Sequence, residues 1–192
     1  MYSLSTKFIE KEIAYTGAEL RSHFIYDQFD LLGDALVAFV GPCKVDLDKM
    51  VDLEDVKKKS PIFSEKMLHF LGEFFGMDLN CLVLMQRLLI ASFYQELMQK
   101  KGGALSHVAL RRIGDDLYDG DFKLSVSIAT LSPISGVFHA GINISSRNTP
   151  VPTKGLEDYK IDPNEFAKNL LKSFSFEIVS AYKATCKVRG VL

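Results

Sequence analysis

Between Gly114 and Ala129 the chain reads GDDLYDGDFKLSVSIA: an acidic pair, a turn, then a lone lysine, Lys123, opening a small and apolar run. Such an ammonium either sits solvated at the start of a strand, paired in water with Asp121 for little energy, or is aimed at something negative. Its neighbours admit both readings. Asp115 and Asp116 are turn formers as well as carboxylates, and Asn143 at a strand end has an ordinary role in left-handed backbone. A second charge in an unusual place is Arg87, within the apolar stretch LMQRLL. A guanidinium there needs a partner, either a ligand's carboxylate or phosphate toward a sheet, or the acidic segment DLED at 52–55.

Other constellations are weaker. Asp52, Glu54 and Asp55 supply enough oxygens for a divalent cation, but with lysines beside them they read first as a solvated loop. His69 and Glu73 are four apart, half a metal site if their segment is helical, yet neither HExxH nor CxxC spacing accompanies them. His139 falls in strand register with the Lys123 region and is expected to donate to a backbone carbonyl in the core. Cys43 follows Gly41-Pro42 with no local pattern of a thiol nucleophile.

The elements that must position these residues follow from caps, turns and apolar patterning. KFIEKEIAY suits an opening strand, and Asp34 to Gly41, DALVAFVG, suits a strand buried on both faces and closed by Gly41-Pro42. SPIFSEKMLHFLGEFF predicts a helix capped by Ser64, with Met67, Leu68, Leu71, Phe74 and Phe75 as its stripe. Asn80 to Lys101 predicts a long helix lying deep against a sheet, capped by Asn80 and followed by Gly102-Gly103. HVALRRIG, FKLSVSIATL and GVFHAGINI read as three successive antiparallel strands, with Asp119-Gly120 as a hairpin turn between the first two. Asn148 to Lys160 is a proline-bearing loop, and Asp162-Pro163 starts a terminal helix. The order predicts an α+β fold, a mixed or antiparallel sheet packed by helices, in one domain over residues 1–192.

Composition narrows the function classes. Of 192 residues 47% are apolar, ample for a core, and the net charge of −1 offers no global field for nucleic acid. No apolar run reaches the roughly 20 residues of a membrane span. The first residues lack the pattern of a signal peptide, and three scattered cysteines imply no disulfide framework, so the expected setting is the reducing cytoplasm. A homodimer is left open.

From Arg111 to Asn143 the ordered features resemble the catalytic core of the biotin and lipoate protein ligases: Arg111-Arg112, Asp115-Asp116-Leu117-Tyr118, Lys123-Leu124-Ser125-Val126 and Gly141-Ile142-Asn143. The likeness is most evident over residues 104–147. The whole chain, through GDALVAFVGP, MVDLEDV, MLHFLGEFF and RRIGDDLY, also resembles the domain-of-unknown-function family 366. That family is expected to share the fold of class II aminoacyl-tRNA synthetases and biotin ligases. The ligase resemblance implies ATP-dependent activation of a small carboxylate through an acyl-adenylate, with ATP and Mg²⁺ as cofactors and a small-molecule carboxylate or nucleotide as partner. It places Lys123 as the catalytic lysine and Asp116 as an organiser of Mg²⁺ or of the lysine. Arg111, Arg112, Arg87 and Asn143 become candidate ligand-binding groups. Two departures point instead to a catalytically silent ligase fold that binds a nucleotide or acyl ligand, or that mediates protein contacts. Nothing in Met1 to Gly76 reads Gly-Arg-Gly-Arg, the loop that closes over the adenylate in biotin ligases. Ser125 and Ser127 stand where those enzymes favour glycine, and side chains there narrow an acyl slot.

Overall fold

The computed structural model describes residues 2–60, 62–100 and 108–191. A five-stranded mixed sheet has the order β1-β2-β3-β8-β7. Its strands are β1 (Ser5–Ile9), β2 (Ala35–Val45), β3 (Ile62–Phe75), β7 (Ser125–Leu131) and β8 (Ser135–Asn143). Among the described strands of this sheet only the β1–β2 pair is parallel. A separate three-stranded antiparallel sheet holds β4 (Leu110–Ile113), β5 (Asp116–Asp119) and β6 (Phe122–Lys123). The helices are the short α1 (Phe24–Phe29) and α2 (Leu53–Lys58) and the long α3 (Leu79–Gln99) and α4 (Pro163–Cys186). None of them is long and apolar enough to cross a membrane. The fold is α+β with a mixed sheet, as the element order predicts.

The main correction concerns residues 62–75, which form the long central strand β3 rather than a helix capped by Ser64. Every residue from Met67 to Phe74 is buried, because β3 lies between β2 and β8 with both faces covered. A strand apolar on both faces has no period of two, so its Met, Leu and Phe positions also satisfy a helical stripe. β2 likewise runs on past Gly41-Pro42 to Val45, through an irregularity between Gly41 and Cys43. There the chain beyond β1 crosses close above it, with Ile13 N–H donating to Val40 O. A Cβ on Gly41 would lie 1.9 Å from Ile13 O, so only glycine fits.

α3 is capped by Asp78, whose carboxylate accepts from Cys81 N–H at 2.8 Å, and Asn80 lies inside the helix. The expected stop at Gly102-Gly103 lies outside the described residues. α4 starts as predicted, with Asp162 accepting from Asn164 and Glu165 N–H and Pro163 in the first turn. The three strands expected after α3 are five in two sheets, and the Asp119-Gly120 turn joins β5 to β6. Within the 148–160 loop, Leu156–Tyr159 forms a 3-10 turn.

The sheet divides the core. On one side α3 and α4 cover Leu68, Phe70, Phe74, Phe138, Ala140 and Ile142. On the other, the chain between β1 and β2 covers Val37, Phe39, Met67 and Leu71 with Tyr15 and Ile25.

Candidate functional site

The site lies on this second side. Direct partners across an antiparallel pair share a face, so Val126 and Ile128 of β7 stand beside Gly141 and His139 of β8. Val126, Ile128 and His139 floor a cavity of about 340 Å³ together with Met67, Ile62 and Val45. Lys123, Asp115, Asp116, Asn143, Asp52 and Asp55 add its polar walls. Gly141 leaves room for the Met67 side chain, which a Cβ on it would strike.

Lys123 reaches this cavity because its backbone is held on both sides. It pairs with Tyr118 across the hairpin, and its N–H and C=O bond Pro152 and Lys154 of the following loop. Its ammonium lies 2.7 Å from Asp116 Oδ2, with the two side chains 29% and 20% exposed. Asp121, the solvated alternative, is fully exposed and 3.9 Å from Arg111 instead. Burial raises the Asp116 carboxyl above its ordinary value, with Asp115 and Asp55 adding to the effect and Lys123 opposing it. For Lys123 burial pulls downward but is outweighed by Asp116, Tyr118 and Asp55, so the ammonium is held more firmly than in water.

Gln86 and Ser127 brace this wall. Gln86 Nε2 donates to Ser127 Oγ at 2.7 Å and to Asp115 Oδ2 at 3.1 Å, and Ser127 Oγ donates to Asp115 O. Ser125 takes no part in the slot, because its Oγ accepts from Leu117 N–H on the helix side of the sheet. Ser127 does line the cavity.

The arginines lie elsewhere. β4 is an edge strand of the small sheet, so Arg111 and Arg112 are exposed and bond the carbonyls of Gly120 and Gly114. Arg87 is exposed on α3, whose inward stripe includes Gln86, Leu89 and Ile90, and it has no hydrogen bond or ion pair among the described residues. It reaches neither the sheet nor the DLED segment. None of the three lines the cavity.

The expected pairing of His69 with Glu73 on a helix is replaced by a different polar cluster. His69 Nε2 contacts Gly41 O at 3.2 Å and its Nδ1 contacts His139 Nε2 at 2.9 Å. The backbone carbonyl expected for His139 is therefore taken by His69. Tyr15 stacks on His139 with ring centroids 3.7 Å apart. Burial lowers His69 to about 4, and burial with His69 beside it holds His139 well below the ordinary histidine value. Glu73 accepts instead from His23 N–H and Ser135 Oγ. Burial, with Glu19 adding, pushes the Cys43 thiol up to about 12, an inert state. Asp52 caps α2. Among the described residues no group of three or more His, Cys, Asp or Glu is placed to hold a metal ion.

Tyr15 and the His69–His139 contact had no sequence signal, since each joins segments far apart in the chain. An internal polar residue in an apolar helix was the available hint for Gln86, and it pointed equally to Arg87.

A family model described as a domain of unknown function (DUF366) matches residues 4–189. An uncharacterised protein of Methanocaldococcus jannaschii is 35% identical over 182 residues, which are 91% of this chain and 80% of that protein. A solved protein of unknown function from Pyrococcus horikoshi superposes with TM-score 0.90 at 37% identity, over 99% of this chain and 100% of that one. The biotin protein ligase of Aquifex aeolicus superposes with TM-score 0.58 at 16% identity, over 92% of this chain and 70% of that one. A putative lipoate protein ligase from T. acidophilum, solved with bound lipoic acid, gives TM-score 0.58 at 12% identity, over 92% and 86%. At such identities the ligase likeness is one of fold.

Proposed function

We propose that this chain, which belongs to the domain-of-unknown-function family 366 and has the biotin and lipoate protein ligase fold, binds a small carboxylate in the cavity at Lys123 and activates it with ATP as an acyl-adenylate. The observation that carries this reading is the Lys123–Asp116 pair, 2.7 Å apart and largely withdrawn from water, on the wall of a cavity with an apolar floor.

In the proposed reaction a carboxylate oxygen attacks the α-phosphorus of ATP, the bond to the bridging oxygen breaks, and pyrophosphate leaves. Lys123 stabilises negative charge growing on the α-phosphoryl oxygens, where a fixed ammonium is worth far more than in water. Asn143 offers its amide to the same end of the ligand, and Val126, Ile128 and Met67 bury the acyl chain. The lining holds four carboxylates, Asp52, Asp55, Asp115 and Asp116, against the ammoniums of Lys49 and Lys123. A bare triphosphate is repelled by that balance, so binding requires Mg²⁺. Asp116 and Asp115 are the carboxylates for it, a number that suffices when phosphate oxygens and water complete the shell. Mg²⁺ there supplies charge neutralisation of the phosphates. Arg111, Arg112 and Arg87 have no part in this reading.

The lack of any arginine in the described lining favours the second reading, a silent fold that holds its ligand without cleaving nucleotide. Hydroxylamine trapping separates the two. Protein, ATP, Mg²⁺ and a carboxylate panel should yield hydroxamate and pyrophosphate, and Lys123→Ala should lower the rate about a hundredfold, on the order of 3 kcal/mol. Tight ATP·Mg²⁺ binding with no pyrophosphate from any acid would leave the silent fold. A Lys123→Ala protein as active as its parent would remove the lysine from the chemistry.

A further inference from the structure

On the helix side of the sheet, away from the cavity, α3 and α4 leave a groove between them that holds a buried charge. The two helices run antiparallel, since Asn169 near the start of α4 bonds Glu96 near the end of α3. Leu88, Ala91 and Phe176 line the groove together with Lys172, Glu177 and Glu96. Phe176 is 74% exposed, and Leu84, one turn before Leu88, is exposed too. Glu96 is only 6% exposed. Its one hydrogen bond among the described residues comes from the neutral Asn169 amide to Oε1, at 3.2 Å. Oε2 has none, yet no fully buried side-chain oxygen there lacks a partner, so Oε2 opens into the groove. Lys100, the next ammonium along α3, is bonded to Glu165 instead. A carboxylate so far withdrawn from water calls for a cation.

The chain carries a matching cation that its own fold cannot deliver. Beyond Cys186 the segment 187–191 is exposed throughout, with Val188 and Val191 bare beside Arg189. Arg189 makes no ion pair among the described residues. A helix rises about 1.5 Å per residue, so Cys186 lies about 26 Å beyond Asn169 along α4. Three extended residues span about 10 Å, which keeps Arg189 far from Glu96 of its own chain. Lys172 and Glu177 are likewise without an ion pair among the described residues. They stand five positions apart on α4, one beyond the spacing at which charges on a helix meet.

We propose that the α3–α4 face packs against the same face of a second copy, the two α4 helices antiparallel across a two-fold axis at Phe176, with Arg189 of each copy bonded to Glu96 of the other. Residues equally far from the axis on the two helices then face one another. Lys172 comes within about 4.5 Å, along the helix, of the level of the other copy's Glu177, and this ion pair forms twice. Cys186 of the other copy comes equally close to the level of Asn169, so its segment 187–191 crosses the groove at Glu96. The two Phe176 rings are buried at the centre against Leu88 and Ala91, an aromatic anchor inside a charged rim. Two helices about 30 Å long and about 10 Å apart present roughly 600 Å² even as a flat face, close to the ~800 Å² per partner of a stable interface. The surface lies outside the Lys123 cavity, so its assembly does not depend on the reaction proposed there.

Sedimentation equilibrium of the full chain is the test. The parent protein should be a dimer at about 10 µM, and Phe176→Glu should weaken it at least about a hundredfold. The circular dichroism of that variant should match the parent's, because the ring is exposed in the single copy. Lys172→Glu and Glu177→Lys should each weaken the dimer about tenfold. An equal mixture of the two, or the double variant, should restore it, since opposite charges then meet again across the axis. Arg189→Glu should also weaken it about tenfold. A parent protein that is monomeric at about 100 µM overturns the proposal, and so does a dimer that Phe176→Glu leaves intact. Charge variants that do not recover on mixing overturn the antiparallel two-fold. Arg189→Glu dimerising like the parent overturns the contact with Glu96.

Discussion

The two sides of the central sheet are built from the same strands and do different work. Toward α3 and α4, β3 and β8 present Leu68, Phe70, Phe74, Phe138, Ala140 and Ile142, with Phe70 against Phe93 and Phe93 against Phe166. Toward the cavity the intervening positions are His69, Glu73, His139 and Asn143, all buried, among Met67 and Leu71. The helix side is predominantly apolar and supplies stability by area removed from water. The cavity side buries polar groups, which costs stability unless each finds a partner, and so supplies specificity instead.

Phe70→Ala tests the helix side with the largest expected effect. Removing a fully buried phenyl ring should cost about 3–5 kcal/mol in urea unfolding. A loss below about 1 kcal/mol would mean that this face is not the stabilising one.

The cavity side should reveal itself through acid. His69 has its folded value lowered to about 4 from 6.5, so between these the unfolded chain binds more protons. Stability is full above about pH 6.5 and is lost as pH falls toward 4, by about 3 kcal/mol for this one group. His139 shifts in the same direction, while Asp116, raised above 3.8, favours the folded state as the solution becomes acid. Unfolding free energies measured from pH 7 to 4 should therefore fall, and His69→Gln should flatten the slope whatever its absolute stability. An equal slope in both proteins would show that the histidine pair is not held neutral.

The smallest effect belongs to a residue on neither side. Arg87 is exposed with no ion pair among the described residues, so Arg87→Ala should change stability by less than about 0.5 kcal/mol and leave ligand binding unaltered. A tenfold loss of binding would return it to the site.

Much of this was legible locally. Asp162-Pro163 announces α4, Asp119-Gly120 announces the hairpin before Lys123, and a 22-residue apolar pattern announces α3, because caps, turns and periodicity are written by neighbours in sequence. The ordered residues from Arg111 to Asn143 pointed to the ligase fold and brought Lys123, Asp116 and Asn143 to one cavity wall. They also suggested Arg111 and Arg112, whose edge strand turns them outward.

The amino-acid sequence by itself determined the terminal and deep helices, the hairpin and the acidic and basic groups beside it, since short-range chemistry suffices for each. Only the tertiary structure decided that residues 62–75 are a strand, because burial on both faces comes from β2 and β8 and erases the period that marks a strand. It alone decided the partner of His139, through a chain of contacts from Gly41 to His69 to His139 that spans 28 and then 70 residues of sequence. Neither partner carries a local sign of the other, because the contact exists only where β2, β3 and β8 lie side by side.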